Sequence, residues 1–369
     1  MIRGVIAQTV LVVNLVISFY AFFKVNIYYR IGPYLKWLNA MLFILTIYAL
    51  IPIIGGWTIG GYFPNMSWIT YLSFQRIYMS VLPIYAFYFF VITKRIKNED
   101  LTIIFFSLLI FSILMYFQNY NNLSEKYGKE EVTNNAGFFF IPLIPLLHLV
   151  KLKDSIRFML LGAIVAFIVV AMKRGAILAG GVMMVLFAIH HFKQLTKTFV
   201  FYNVLYCFFF LVFVWLFVSH FYSFSDYFQL RVEQTLAGNS SGRDSIFSYY
   251  WTYFIERTSA LEFLIGNGAN ATRVMFGHYA HNDWLEFAID YGILGVMIYL
   301  IYWIVYIWEW VHYKGPKECR RVWGDIIVAY FLIALYSMSF DGMPMAATLC
   351  IGYCLAMNKK TSNYKIHVH

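Results

Sequence analysis

Apolar residues occur along this chain in long runs that short polar segments separate. A helix needs roughly 20 mostly apolar residues to cross a bilayer, and eleven segments of about that length or slightly less can be found. The predicted spans lie near residues 5–23, 38–55, 77–93, 101–118, 136–150, 156–172, 175–191, 199–218, 284–308, 325–339 and 342–357. This pattern predicts an all-α fold, a polytopic transmembrane helix bundle, that forms a single integral membrane domain over residues 1–369.

Composition supports a membrane protein. The chain is 61% hydrophobic and only 12% charged, with a mean hydropathy of +0.67, which is not the composition of an ordinary water-soluble globule. The first apolar segment has a single charged side chain before it, Arg3, which does not form a convincing charged n-region, and it lacks a small-residue cleavage site. It is therefore predicted to be a retained span, not a signal peptide, with the N-terminus outside.

Positive charge is distributed unevenly between the two ends of the predicted spans. Of the 28 basic residues, 18 fall in alternate loops. They are Lys24, Arg30, Lys36, Lys94, Arg95, Lys97, Lys151, Lys153, Arg157, Lys193, Lys197, Lys314, Lys317, Arg320, Arg321, Lys359, Lys360 and Lys365. By the positive-inside rule this side is the cytoplasm. The net charge of +10 thus reports topology, and no nucleic-acid partner is needed to explain it.

One external loop, residues 219–283, is much longer than the others and is predicted to contain amphipathic helices. Its basic residues are all arginines, at positions 231, 243, 257 and 273. A planar guanidinium matches phosphate oxygens in a bidentate way that an ammonium cannot. The sequence Ser241-Gly242-Arg243-Asp244 has the spacing of a capping box, with aspartate in place of glutamate. A helix is expected to start there, with apolar residues from 246 to 255 mostly on one face.

Two arginines are candidates for binding an anion at the external mouth of the bundle. Arg243 falls in the first turn of the predicted loop helix, where free backbone amides already favour an anion. Arg174 follows Lys173 in a two-residue turn between the sixth and seventh spans, which would hold its side chain at the mouth. The alternatives are a surface ion pair of Arg243 with Asp244 or Glu256, and an interfacial, snorkelling Arg174.

Ionisable residues crowd together just before the ninth span, where such groups favour a functional site. His281 is a candidate general base, since an imidazole accepts a proton near neutral pH. Asp283 is interpreted as a solvated acid that complements the helix dipole, and the role of Glu286 stays open. A metal site formed by His278, His281 and Asp283 is disfavoured, because their spacing is not the i, i+4 arrangement of helical zinc sites.

These motifs together resemble one family. They are Lys173-Arg174-Gly175-Ala176, Ser241-Gly242-Arg243 with Trp251, Gly266-Asn267-Gly268, and Ala280-His281-Asn282-Asp283-Trp284-Leu285 with Gly292 and Gly295. Their order and spacing, over about residues 155–310, are similar to those of the O-antigen polymerase and ligase superfamily. The resemblance implies a glycosyltransferase of the bacterial inner membrane whose active site faces the periplasm.

The resemblance also implies the chemistry. The donor would be a glycan linked to undecaprenyl pyrophosphate, and the reaction would need no cofactor, metal or nucleotide sugar. Arg174 and Arg243 would bind the pyrophosphate, and His281 would take a proton from the acceptor hydroxyl. Further predicted substrate contacts from the same region are Arg273, His278, Asn282 and Glu286. A chain-length regulator is a further candidate partner.

We expect a polymerase of the Wzy type, which transfers the growing chain to the non-reducing sugar of a lipid-linked repeat unit with inversion. The first alternative is an O-antigen ligase, which has the same donor but lipid A core as acceptor. The second is a transporter of lipid-linked oligosaccharides, which would require charges along a path through the span interiors. Those interiors hold almost none, which disfavours transport.

Overall fold

The structure, a computed structural model, describes residues 2–55, 66–128, 132–192, 200–237, 242–340 and 342–361. Throughout these residues the chain forms helices and the turns between them, with no β-strand, which confirms the all-α prediction. In the first half of the chain the helices are α1 (Ile2–Tyr28), α2 (Pro33–Gly55), α3 (Met66–Ile92), α4 (Asp100–Tyr127), α5 (Leu143–Leu146), α6 (Asp154–Val170) and α7 (Arg174–Phe192). In the second half they are α8 (Val200–Phe224), α9 (Asp226–Leu236), α10 (Arg243–Thr252), α11 (Ala260–Ile265), α12 (Ala271–Phe276), α13 (Asp283–Val311), α14 (Lys317–Tyr336) and α15 (Met345–Thr361).

Several of these helices are long and apolar enough to cross a membrane. Within the described residues there are five, and each coincides with a predicted span. They are Thr9–Tyr28, Pro33–Leu50, Asp100–Tyr127, Arg174–His191 and Asp283–Val311. The other six predicted spans fall on shorter, more polar or only partly described segments, so the number eleven stays a prediction. Several helices of the described residues could therefore span a membrane, which is consistent with a membrane protein.

The predicted span at 136–150 is not a continuous helix. It consists of a 3₁₀ turn, Asn135–Phe139, and the single α-helical turn of α5. Pro142 and Pro145 lie in it and lack the amide hydrogens that a longer helix would need. The segment is nevertheless buried, with Leu143, Ile144 and Leu146 fully inaccessible. Non-helical backbone is tolerated at membrane depth when protein surrounds it.

Helix α13 lies at the centre of the part of the bundle that positions the candidate site. It packs against α2 and α14, and α11 lies across its first turns. Its inner face carries tyrosines that stack on their neighbours, with Tyr306 on Tyr34 at 4.6 Å and Tyr299 on Phe287 at 4.4 Å between ring centroids. Aromatic pairs at this separation stabilise a core beyond their burial. This packing fixes the position of α13 and therefore of the loop that leads into its first turn.

Two of three glycines in α7 stand at close contacts with neighbouring segments, as small residues commonly do between membrane helices. A Cβ on Gly180 would meet Ile168 of α6 at 2.9 Å, and one on Gly175 would meet Phe138 at 3.3 Å. Gly181 has no atom within 4 Å of the same position, so no close approach there requires a glycine. The contact at Gly175 matters for the site because it seats the first turn of α7 on the buried segment before α5.

Candidate functional site

The turn between α6 and α7 places Lys173 and Arg174 at one end of the bundle. It is anchored by Asn134, whose amide donates to the Ala171 carbonyl at 2.8 Å and whose side chain donates to the Tyr116 carbonyl at 2.9 Å. Met172 has the left-handed φ of 52°, which is uncommon for a residue with a side chain and indicates a constrained turn. The two basic side chains therefore project from a rigid support.

Helix α9 lies next to this turn. It follows α8 after one residue, Ser225, whose hydroxyl caps it by accepting from the Phe228 amide at 3.0 Å. Tyr227, Arg231 and Gln234 are spaced i, i+4, i+7 and so share one face of α9. That face is directed at Arg174, because Gln234 accepts a hydrogen bond from the Arg174 guanidinium at 3.0 Å. Residues 219–224, predicted as the start of the long external loop, are the end of α8 instead.

Helix α10 brings a third basic group. It begins at Arg243, as predicted, which places this arginine in the first turn. The N-cap is Gly242, with φ of 77°, and not the predicted Ser241, which lies outside the described residues. A capping box does occur one helix later, where Ser259 accepts from the Glu262 amide and Glu262 accepts from the Ser259 amide.

Four cations converge where these elements meet: Lys173, Arg174, Arg231 and Arg243. Burial, together with the charges of Arg243 and Arg231, lowers the pKa of Lys173 to about 8. Burial and the charge of Arg231 lower the pKa of Arg243. Arg231 and Arg243 also lie within electrostatic range of Arg174. Like charges this close repel one another, so the arrangement favours an anion as its ligand. We call these four residues the basic cluster.

His281 borders the basic cluster. Burial lowers the pKa of its imidazole to about 4, and the charges of Lys173 and Arg243 add to this effect. The imidazole is thus neutral at physiological pH, which is the protonation state that a general base needs. Its backbone has a left-handed φ of 55°. A residue with a side chain held in this region is an outlier of the kind that clusters at functional sites.

The two residues after His281 hold the start of α13. Asn282 caps the helix by accepting from the amides of Trp284 and Leu285, and donates to the Leu335 carbonyl at 3.1 Å. The interpretation of Asp283 as a solvated acid is wrong, since the residue is buried. Its carboxylate accepts from the Tyr299 hydroxyl at 2.8 Å and from the amide and hydroxyl of Ser339.

Glu286 and Asp290 lie one turn apart on α13 and organise the loop in front of it. Asp290 accepts from the amides of Asn270 at 2.9 Å and Thr272 at 3.0 Å, and so caps α12 from a distance. Glu286 accepts from the Thr272 hydroxyl and from the Ala280 amide. Because Ala280 directly precedes His281, Glu286 positions the histidine. These bonds give Glu286 a structural role, and its predicted contact with substrate stays a prediction.

The glycine motifs have a common explanation at a break in α13. Gly292 has φ of 66°, which interrupts the helix. The carbonyls of Ile289 and Asp290 then accept from the amides of Asn267 at 2.9 Å and Gly268 at 2.8 Å. A Cβ on Gly266 or on Gly292 would lie only 2.4 to 2.6 Å from the backbone of the other segment. Only glycine permits this approach, which locks the loop 266–268 onto α13.

The remaining predicted contacts lie around this core. His278 is exposed and its Nδ1 lies 3.0 Å from the Tyr250 hydroxyl, which joins α10 to the loop. It also lies within electrostatic range of His281. Arg273 donates to the Tyr279 hydroxyl at 2.9 Å, with its guanidinium 5.4 Å from the centre of the Tyr279 ring. The structure thus brings Arg174, Arg243 and His281 together and gives Arg273 a partner within the loop.

Sequence reasoning missed Arg231 and the participation of Lys173 in the cluster. The sequence Ser225-Asp226, a capping serine followed by an acid ahead of an amphipathic stretch, signals the helix that carries Arg231 but not its place beside Arg174. For Lys173 the sequence indicates only a place in a short turn between two predicted spans.

A metal site at His278, His281 and Asp283 is not supported, because the Asp283 carboxylate is occupied by Ser339 and Tyr299. Within the described residues the histidine and acid side chains whose ligand atoms converge, within 4.8 Å, are His148, His190 and Asp325. His190 stands sixteen residues after Arg174 in α7, about 24 Å along the helix. Arg157 and Arg321 lie within electrostatic range of His148 and oppose a cation there.

The chain matches no protein-family model, and no curated protein sequence is detectably similar to it. The likeness to the O-antigen polymerase and ligase superfamily therefore stays a prediction from the motifs quoted above.

Proposed function

We propose that the protein is a glycosyltransferase that takes a glycan from undecaprenyl pyrophosphate and passes it to a lipid-linked repeat unit, as an O-antigen or capsule polymerase. The observation that carries the proposal is the convergence of the basic cluster on a neutral His281. Three guanidinium groups, Arg174, Arg231 and Arg243, suit a pyrophosphate, which offers several oxygens for bidentate hydrogen bonds.

In the proposed reaction an acceptor hydroxyl oxygen attacks the anomeric carbon of the donor sugar. The bond from that carbon to the pyrophosphate oxygen breaks, and undecaprenyl pyrophosphate leaves with the electron pair. His281 takes the hydroxyl proton. The basic cluster offsets the charge that develops on the leaving group, in the manner of an oxyanion hole. Attack opposite the leaving group inverts the anomeric centre.

Binding of the donor would also change the pKa of the His281 imidazole. An anion close to an imidazole stabilises its protonated form and raises its pKa. In the ligand-free site His281 has a pKa of about 4, and is a weak base. Pyrophosphate in the basic cluster would offset the charges of Lys173 and Arg243 and so raise the proton affinity of His281. The histidine would become an effective base only once the donor is bound.

The proposed setting is the bacterial inner membrane, with eleven spans and the basic cluster on the periplasmic side. The charge distribution of the loops supports this orientation. On this assignment the cluster lies at the level of the headgroups, where the pyrophosphate of a lipid-linked donor is found. A transporter is less well supported, since the four cations of the basic cluster gather at one end of the bundle and do not line a path through it.

The test is a reconstituted reaction. The purified full chain is incubated with lipid-linked repeat units after treatment with a chelator, and the products are separated by size. The proposal predicts a ladder of polymers and release of undecaprenyl pyrophosphate. Absence of transfer to any lipid-linked acceptor would contradict it, and activity that returns only with a divalent ion would contradict the metal-free mechanism.

A parallel reaction separates the polymerase from the ligase. Preassembled donor chains are offered with lipid A core in place of the repeat unit. A polymerase leaves lipid A core unmodified and extends only the repeat unit. Transfer to lipid A core with no ladder would assign the protein to the ligase activity.

A further inference from the structure

A second polar site lies at the end of the bundle that carries the basic loops. It is a cleft of about 380 Å³ between the α1–α2 link, the ends of α13 and α15, and α3. This volume falls in the range of small-ligand sites, about 300–1,000 Å³. Four basic residues line the cleft, namely Arg30, Lys36, Lys314 and Lys359. It is separate from the basic cluster at the start of α7 and plays no part in the proposed reaction.

The cleft has a fixed framework. The Glu309 carboxylate accepts from the Tyr34 amide at 2.7 Å and so joins α13 to the start of α2. The amide of Lys314 donates to the Asn358 side chain at 2.8 Å, which joins α13 to α15. The Lys359 ammonium donates to the Arg30 carbonyl. The rings of Trp308 and His312 are in contact, with centroids 3.8 Å apart and planes tilted by 34°.

The charge of the cleft favours an anion. Glu309 is the one acid in its lining. The C-termini of α1, α13 and α15 each add about half a negative charge, and the N-terminus of α2 adds about half a positive one. Against the four cations this leaves an excess of about two positive charges. Basic pockets between helices on the cytoplasmic side are the usual sites for anionic lipid headgroups.

The surface beside the cleft favours a lipid over a soluble anion. Trp308 lines the cleft and also belongs to a row of exposed apolar residues on one face of α13. The row is Met297, Leu300, Ile304, Trp308 and Val311, which are between 47% and 56% exposed. These positions are spaced by three or four residues and cover about 21 Å of helix. They provide a continuous apolar path from the cleft towards the middle of the bundle.

We infer that the cleft binds the phosphate headgroup of an anionic phospholipid, with its acyl chains along this row of α13. The phosphodiester would lie among Lys36, Lys314 and Arg30. The Trp308 ring stands at the boundary of headgroup and acyl chain, a position that amphipathic rings prefer. A lipid bound there would join α2, α13 and α15 at the end of the bundle opposite to the basic cluster.

The experiment is native mass spectrometry of the full chain in detergent, titrated with phosphatidylglycerol, with phosphatidylcholine, or with inorganic phosphate. The expected result is one tightly bound phosphatidylglycerol, weaker phosphatidylcholine, and no displacement of the lipid by millimolar phosphate. Equal binding of the two lipids would overturn the inference. Displacement by free phosphate would overturn it in favour of a soluble anion.

Variants locate the lipid. The double substitution Lys36→Gln, Lys314→Gln removes two charges and should weaken phosphatidylglycerol binding by about 30-fold. Lys36→Arg, Lys314→Arg keeps the charges and should bind like wild type. The matched control Lys151→Gln, Lys153→Gln removes two basic residues from the same side but outside the cleft, and should also bind like wild type. Both lysine pairs lie at the surface or in a loop, and thermal unfolding without lipid verifies the fold. Equal losses in the first and last variants would place the lipid elsewhere.

Discussion

At the scale of single residues, the site depends on groups whose partners are far away in sequence. Arg174 and His281 were identifiable because each stands next to a predicted span. The burial of Asp283 was not, since its partner Ser339 lies 56 residues further on. Arg231 was also missed, because nothing local indicates that its helix lies against Arg174. The local sequence indicates which side chains could bind substrate or transfer a proton. The tertiary contacts determine which of them lie together in the site.

Arg231 gives the first prediction. Its replacement by lysine keeps the charge but removes the planar fork, so kcat/KM for the lipid-linked donor should fall by about 10². The matched control is Arg320→Lys, an arginine of α14 outside the site whose guanidinium donates to the Val311 carbonyl at 3.2 Å. The control should stay within severalfold of wild type in the reconstituted polymerisation assay. Similar activities for the two variants would exclude Arg231 from the donor site.

The pH dependence follows from the pKa of His281. The profile of kcat/KM reports the free enzyme and that of kcat reports the complex with substrate. Since burial and neighbouring cations lower the pKa of His281 to about 4 in the empty site, kcat/KM should fall only as the pH approaches 4. Bound pyrophosphate raises this pKa, so kcat should be lost at a higher pH. Steady-state rates between pH 4 and 8 measure how kcat and kcat/KM fall with pH. If both fell at the same pH, bound pyrophosphate would not raise the pKa of His281, which would contradict the proposal.

At the scale of elements, hydropathy identified helices well and irregular segments poorly. Nine of the eleven predicted spans fall on single uninterrupted helices, while the span at 136–150 is broken by its prolines and the span at 284–308 is interrupted at Gly292. Helices α9, α11 and α12 are too short and polar to be recognised from hydropathy as membrane spans. Of these, α11 has a recognisable capping box. The break at Gly292 was hidden inside an apolar run. Only the tertiary structure shows it, because amides of the loop 266–268 donate to the carbonyls that the break leaves without helical partners.

Gly266 and Gly292 test this contact. A Cβ at either position would lie 2.4 to 2.6 Å from backbone atoms, in addition to the positive φ. Alanine at either site should cost about 2–5 kcal/mol. Gly277 has a similar φ of 78° but no atom within 4 Å of a Cβ, so Gly277→Ala should cost only about 1–2 kcal/mol. Thermal unfolding in detergent measures the difference. Equal losses in all three variants would show that the close approach contributes nothing.

At the scale of the whole molecule, the basic cluster lies at one end of the bundle. The cleft lined by Arg30, Lys36, Lys314 and Lys359, which we call the lipid cleft, lies at the opposite end. The division between the two ends could be predicted from sequence, because the basic loops alternate along the chain. How the ends are built could not, since each combines elements from distant parts of the chain. The basic cluster joins the α6–α7 turn, α9 and α10, and the lipid cleft joins the α1–α2 link to the ends of α13 and α15.

The topology is tested with single cysteines in an otherwise cysteine-free chain. Glu233 in α9 and Lys314 after α13 are both exposed, so each can carry the probe. An impermeant thiol reagent applied to intact cells should label Glu233→Cys, and should label Lys314→Cys only after the membrane is opened. Labelling of both from the same side would contradict the orientation and with it the periplasmic, lipid-linked donor.

The most direct test of the central claim measures donor binding and turnover separately in two variants. If the basic cluster holds the pyrophosphate and His281 accepts the proton, His281→Ala should bind the lipid-linked donor normally while turnover falls by about 10² to 10⁴. Arg243→Lys should lose donor affinity despite its unchanged charge. Binding is measured by titrating the purified protein with donor alone, and turnover by single-turnover transfer to the acceptor. Near wild-type turnover in both variants would contradict the account and place the chemistry elsewhere in the molecule.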